Sequence, residues 1–432
     1  MKLRINIFML LIFFTLNLFE LKSQQAANYT IELARQFSRD LFESNGVLFM
    51  EPVVRITNAT SNSRFFNYAY IPAKSKNIYF KIGIQGMLGF VSEDLKKYNP
   101  TMPTKEFDLN DVPKYISYNP LTNQITKLDT AGIIRYIFLN LMYDGIYGSK
   151  KGAITVPKNA STALGSGNSK FLLPHDTLKA LFKNHPLYSL PLIPQNLKDS
   201  VENYINQFPE EFTLYGGADL STVFASIPQI EIGSLYGTEL LLRFIPPVNL
   251  GQTIGDFAFW GVGLKHSISQ YFYREQFNDK NYFELKEIQP FDLAAQFVYQ
   301  GTYLTNKVGV TQADLTANAT ILNANLNASY YLNKYINFFT GLSYQTISIE
   351  SEYVYKLPVE IQWQLGLLEK GKHEPTPGYP GDNSPQKTKL TLDDSSFKWT
   401  IGFTATISNI DLIIDYNLSK FDIFGFGLQY RF

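Results

Sequence analysis

Asp422-Ile-Phe-Gly-Phe-Gly-Leu-Gln-Tyr-Arg-Phe432 closes the chain. Phe424, Phe426, Leu428, Tyr430 and Phe432 recur at period two, and Gly425, Gly427, Gln429 and Arg431, all small or polar, stand between them. Successive side chains of a strand point to opposite faces, so this stretch has one greasy face and one wet face. Such a strand belongs either to the edge of a soluble antiparallel sheet or to the wall of a membrane barrel.

Upstream segments repeat the pattern. Phe80, Ile82, Ile84, Leu88 and Phe90 alternate with Lys81, Gly83, Gln85 and Gly89; Ala258, Trp260, Val262, Leu264 and Ile268 alternate with Gly261, Gly263, Lys265, Ser267 and Ser269. Phe291 to Tyr299, Leu322 to Tyr330 (against Asn323, Asn325, Asn327 and Ser329) and Ile336 to Tyr344 follow suit. The polar faces are mainly Asn, Gln, Ser, Thr and Gly, with few charges, which suits a confined aqueous lumen better than bulk water. Segments of about ten alternating residues separated by turns predict a transmembrane antiparallel β-barrel of about 12–14 strands.

Hairpin register sharpens the expectation, because paired residues share a face. A two-residue turn at Ser408-Asn409 pairs Ala405 with Leu412, Phe403 with Ile414, Ile401 with Tyr416 and Trp399 with Leu418, and leaves Asp411 and Asp415 opposite Thr406 and Gly402. A turn at Tyr236-Gly237-Thr238 pairs Ile232 with Leu242 and sets Glu231 against Arg243 as a lumenal ion pair. With the C-terminus in the periplasm, both turns and Asn333-Lys334-Tyr335 fall on the periplasmic side. Pro358 to Ser396, Pro/Gly-rich and charged, becomes a long external loop; Tyr273 to Pro290 becomes a long periplasmic one.

At the other end, Lys2 and Arg4 precede the apolar run Ile5–Phe19 and then Glu20-Leu-Lys-Ser-Gln-Gln25, the anatomy of a signal peptide over residues 1–23. Residues 24–75 read as an N-terminal segment able to plug the barrel, with residues 76–432 as the barrel. Within the segment Thr30, a fair N-cap, opens a helix with Ile31, Ala34, Phe37 and Leu41 on one face. The run Ala131–Tyr143 fits a strand or a buried helix equally. Residues 145–215, with Gly/Ser-rich and Pro-rich stretches, read as an external insertion.

Aromatic residues make up 15% of the chain, cysteine is absent, and 38 basic residues balance 38 acidic ones. Zero net charge argues against a nucleic-acid partner, and the lack of cysteine excludes a disulfide framework. The four histidines (His175, His185, His266, His373) have no metal-ligand spacing. His266 and Ser267 are adjacent on one strand and point to opposite faces, so they form no nucleophile–base pair. Asp411 and Asp415 lie roughly 13 Å apart along a strand, too far for a glycosidase pair. No catalytic residue, cofactor or metal site is expected.

The C-terminal pattern resembles the assembly signal of Gram-negative outer-membrane barrels, carried here by Gly427, Tyr430 and Phe432. Ile227-Pro-Gln-Ile-Glu-Ile-Gly-Ser-Leu-Tyr-Gly-Thr-Glu-Leu-Leu-Leu-Arg-Phe-Ile-Pro246, followed by Ile254 to Gln270 with its Gly-Val-Gly-Leu-Lys-His run, resembles a Bacteroidota outer-membrane barrel family built on a domain of unknown function. That likeness implies a barrel and no activity. In general plan the chain is similar to the outer-membrane long-chain fatty-acid transporters, a likeness of architecture that implies little about function. The expected partners are outer-membrane lipid, the barrel-assembly machinery and a small, in one version lipophilic, solute. The expected lumen-lining residues are Lys81, Gln85, Glu231, Arg243, Lys265, Ser267, Asn323, Asn325, Asn327, Asp411 and Asp415. A structural or secretion-associated barrel that binds a protein through its external loops is the rival expectation.

Overall fold

The computed structural model describes residues 2–65, 68–71, 78–119, 121, 124–190, 193–249, 255–273, 290–308 and 313–432. Ten strands close an antiparallel barrel: β1 (Tyr79–Phe90), β2 (Thr222–Leu235), β3 (Thr238–Asn249), β4 (Asp256–Ser267), β5 (Phe291–Val308), β6 (Ala313–Tyr331), β7 (Ile336–Tyr355), β8 (Gln386–Ile407), β9 (Ile410–Leu418) and β10 (Ile423–Arg431). β1 pairs with β2 on one side and with β10 on the other, so the C-terminal strand is the seam of closure, with Lys81 opposite Arg431 and Leu88 opposite Phe424. The barrel has ten strands rather than 12–14 for two reasons. Residues 91–221 fold as a separate cap, and β5 to β8 are 18, 19, 20 and 22 residues long, so the same chain length makes fewer and taller strands.

Alternation places the side chains as the pleat requires. Phe424, Phe426, Leu428 and Tyr430 face outward and exposed, while Gln429 and Arg431 face inward and buried. Trp260, Val262, Leu264, Phe297, Leu342 and Trp399 continue this outward apolar surface around the wall. So large a contiguous apolar surface marks a membrane contact. On the tall strands the apolar side changes face at one level. Along β8, Phe397, Trp399, Ile401 and Phe403 point out; beyond them Lys387, Lys389 and Thr391 point out while Leu390 and Leu392 point in. β7 does the same, with Phe338, Leu342 and Tyr344 outside but Glu350 and Glu352 outside further on. The eleven residues Phe397–Ile407 span about 25 Å at the usual strand tilt, the height of an outer-membrane apolar band. Above that band the wall is an ordinary water-facing sheet packed on an apolar interior.

The described connections at one end are short: Tyr236-Gly237, residues 332–335 and Ser408-Asn409. The Ser408-Asn409 register holds as expected, with Ala405 opposite Leu412, Phe403 opposite Ile414 and Trp399 opposite Leu418. The register at the Tyr236 turn does not. A turn of two residues instead of three, followed by a one-residue irregularity between Gly233 and Leu235, shifts it by two, so Ile232 meets Leu240 and Arg243 meets Gln229, not Glu231. A two-residue shift keeps every side chain on its face, so alternation alone does not exclude it. The long connection following β4 lies mostly outside the described residues.

The opposite end carries the cap. The run left open between strand and helix is α2 (Thr130–Ile146), whose Ile133, Ile137, Phe138 and Leu141 are the centre of a core shared with α3 (His175–Lys183) and α4 (Gln195–Gln207). The cap is therefore formed by the described residues between 91 and 221, more than the expected 145–215. The connection between β7 and β8 is residues 356–385; the last stretch of the loop expected over 358–396, residues 386–396, is strand. Among the described residues no helix is long and apolar enough to cross a membrane.

Candidate functional site

One helix, α1 (Lys2–Ser61), passes from the cap into the barrel. Thr30 is not its N-cap, since the helix continues upstream; its hydroxyl donates to Gln207 Oε1 of α4 at 2.9 Å. Ile31, Ala34, Phe37 and Leu41 join the cap core, where Phe37 meets Phe208 and Phe212 at ring distances of 5.5 and 4.9 Å. Arg35 reaches Asp382 of the connection between β7 and β8, with Nε to Oδ2 at 2.9 Å and Nη2 to Oδ1 at 2.5 Å. Further along, Val54, Ile56 and Ala59 pack on a collar of inward residues from around the barrel, among them Met87, Ile227, Phe259, Ile321, Ile347 and Leu392.

The helix ends in a polar well. Its last carbonyls have no intrahelical donor, and cationic side chains at a helix C-terminus meet both that need and the helix dipole. The wall supplies them. Arg243 donates from Nη1 to Ser61 O at 3.1 Å and from Nη2 to Ser63 O at 2.8 Å, while Gln229 Oε1 holds its Nε at 2.9 Å. Gln300 Nε2 also donates to Ser61 O, at 3.0 Å, and Lys398 Nζ donates to Asn62 O. Past the helix, Gln229 Nε2 donates to Phe65 O at 2.5 Å and Lys265 Nζ to Tyr68 O at 3.0 Å.

The chain turns at Arg64, which has a left-handed φ of 65°. Its guanidinium pairs with Asp415 and donates to Gln85 Oε1 at 2.8 Å. Gly425 and Gly427 are what makes room for it: a Cβ at either position would collide with the Arg64 side chain, and at Gly427 with Gln85 as well. Nearer the short-turn end, Lys81 lies 3.1 Å from Glu231 and pairs with Glu239, which also holds Lys265. Asp411 faces Arg431 at 3.2 Å. Apart from Lys398, whose described hydrogen bond is to the Asn62 carbonyl alone, each of these buried ions has an opposite charge or several hydrogen bonds, without which burial costs several kcal/mol per ion.

All of the expected lumen-lining residues point inward: Lys81, Gln85, Glu231, Arg243, Lys265, Ser267, Asn323, Asn327, Asp411 and Asp415 are buried and Asn325 is half-buried. The expected Glu231–Arg243 pair is replaced, Glu231 by Lys81 as partner and Arg243 by Gln229 and the α1 carbonyls. Glu239, Lys398, Gln229, Gln300 and Arg431 were not singled out from sequence, although strand parity puts each on the same face as residues that were. Arg64 belongs to no periodic segment and gives no such signal. The polar lining expected throughout is confined to the short-turn half, since the same faces of β6, β7 and β8 carry Leu315, Ala319, Ile321, Ile347 and Leu392 nearer the cap. His266 stays on the face opposite Ser267, between Thr238 Oγ1 at 2.8 Å and the Tyr271 hydroxyl at 2.7 Å.

Among solved structures the chain is similar to a mutant of the Rh. blastica porin (10% identity, 49% of this chain and 92% of that one, TM-score 0.13). It is also similar to Pseudomonas aeruginosa OccK1 (OpdK) (9%, 83% and 99%, TM-score 0.12) and to Acinetobacter baumannii OccAB4 (8%, 84% and 99%, TM-score 0.12). Scores this low carry no argument about function. No curated protein matches the chain. The model of the family of unknown function DUF6588 matches residues 1–432, and the chain belongs to that family.

Proposed function

We propose that the protein is a gated outer-membrane barrel, exported by the signal peptide at residues 1–23, which lets a small solute pass once the tip of α1 leaves its well. The observation that carries this reading is a polar well filled by a segment that is not wall. A helix is about 10–12 Å across with its side chains, and a ten-stranded barrel has room for little else beside it. What remains at the tip is a cavity of about 20 Å³. The outward apolar band supports the membrane location, and the sequence resemblance to Bacteroidota outer-membrane barrels supports the compartment. The charged and amide-lined well favours a polar solute; the apolar collar above it, with the likeness in plan to fatty-acid transporters, is the support for a lipophilic one. Bilayer recordings test the gate. Wild-type protein is expected to be closed most of the time, and Arg243→Met to open. Absence of conductance and of lipophile uptake in both would refute the reading.

A second reading rests on the cap. Residues 91–221 and 356–385 together pack on α1 at the external end, a surface suited to a protein partner. α1 enters from that side, so on this reading the chain preceding Thr30 stands outside the cell. An epitope placed there should be labelled on intact cells; labelling only after lysis would remove this arrangement.

A further inference from the structure

The cavity of about 20 Å³ at the tip of α1 is lined by Arg64, Lys398, Gln296, Asn325, Asn327 and Asp415 together with Phe65, Phe339 and Thr400. Asp415 is the one carboxylate of that lining, and it is already engaged by Arg64 and by Asn417 Nδ2 at 2.6 Å. Lys398 donates to the Asn62 carbonyl and has no carboxylate among its described contacts. Gln296 Nε2 and Asn327 Nδ2 have no hydrogen-bond partner among the described residues. Asn327, Gln296, Lys398 and Arg64 are 2, 4, 4 and 5% exposed, so bulk water reaches none of them freely.

Two cations and two orphaned amide donors thus surround a space with a single, occupied, negative group. Arg243, held by Gln229 and α1 carbonyls, adds a further cation to the same well. Buried charge and buried donors require compensation. The space exceeds the roughly 10–15 Å³ that a water-sized guest requires but does not admit a polyatomic anion such as sulfate. A guest there touches the plug through Arg64 and the wall through Lys398, Gln296 and Asn327 at once.

We propose that this cavity is a binding site for one monoatomic anion, chloride in a saline medium, which ties the tip of the lumenal helix to the barrel wall. The proposal goes beyond the gating reading and does not depend on any solute passing, because occupancy stabilises the plugged barrel whatever the lumen carries. Its weight lies in the imbalance of charge around Lys398, a lysine placed within the membrane band and facing inward.

The test is thermal unfolding of the purified full-length barrel in detergent, in potassium chloride against potassium gluconate at equal ionic strength. The expected result is a Tm that rises saturably with chloride, equally with bromide, and a bromide anomalous peak between Lys398 and Arg64 in crystals. Lys398→Met is expected to abolish the halide-dependent part of the shift. Where that variant fails to fold, Asn327→Leu decides instead, since it keeps the lysine while filling the space, and it too should lose halide dependence. A wild-type Tm that is the same in chloride and gluconate, or bromide absent from the cavity, would mean that the space holds water and would overturn the proposal.

Discussion

Near the cap the lumen wall meets α1 with Ile227, Phe259, Ile321, Ile347 and Leu392; two to six residues further along the same strands it meets the same segment with Gln229, Lys265 and Lys398. The collar and the well hold one segment by opposite means. In the collar the contact is non-directional and proportional to the apolar area covered. In the well it is a set of donors aimed at particular carbonyls, where a missing partner leaves a buried group unsatisfied. A gate needs such a division, since the collar tolerates sliding of the helix and the well does not. Loss of the well should therefore release the tip, and loss of the collar should lower stability without opening the barrel.

The largest effect is expected from Arg243→Met. This change removes the donor to Ser63 and the partner of Gln229, while Ser61 keeps its bond from Gln300, and leaving those buried acceptors without a donor costs about 4 kcal/mol. Bilayer conductance is the measurement, with long open events against a closed wild type. An unchanged, closed trace would mean that the collar alone holds the helix.

Ile321→Ala strikes the collar with a cost of about 3 kcal/mol, the usual range for an aliphatic residue truncated in a packed core. Ile321 is fully buried against α1. Chemical denaturation should show the loss while conductance stays at the wild-type level. Open channels in Ile321→Ala would erase the distinction between the two halves.

Gly427→Ala separates two roles of one residue. The sequence suggests a part in the assembly signal, and the structure puts its α-carbon where a methyl group would press on the Arg64 guanidinium and Gln85. Overpacking of this kind costs about 2 kcal/mol. Normal outer-membrane insertion with brief openings would assign the glycine to the well. Failed insertion would assign it to assembly.

The residues behind these predictions differ in how legible they were. Strand faces were readable throughout because side-chain period is fixed by the backbone, and the Ser408-Asn409 hairpin was readable to the residue because a two-residue turn leaves no slack. The Tyr236 hairpin was not, since a turn of two residues instead of three and a one-residue irregularity at Gly233 together shift pairing by two, and two is invisible to face periodicity. The lumen was read as wet along its length from Asn323, Asn325 and Asn327, yet Ile321, Ala319 and Leu315 on the same face are apolar because a helix, not water, lies against them. That helix was legible only at Ile31 to Leu41. Downstream, Pro52 and the β-branched Val53, Val54, Ile56 and Thr57 lower helix propensity, and it is the surrounding collar that makes this stretch helical. Strand count failed for a related reason: nothing local distinguishes the cap's segments from barrel wall before both are packed.

The smallest effect belongs to the cap, where α1 is also fastened by Arg35 to Asp382. Arg35→Ala should cost about 1 kcal/mol, because the arginine is partly exposed and such pairs are weak. Acid sharpens the test. Burial pushes the Asp382 carboxyl up, but the hydrogen bond and charge of Arg35 outweigh it and hold the group below its ordinary value of 3.8. A carboxyl whose pKa is depressed on folding adds stability that is present above that ordinary value and is lost as pH falls through the folded one. The wild-type advantage over Arg35→Ala should therefore be constant from pH 7 to pH 5 and shrink only below about 4. An advantage that vanished already near pH 6 would assign the fastening to another group. One accompanied by open channels in Arg35→Ala would make the cap, and not the well, the place where the helix is held.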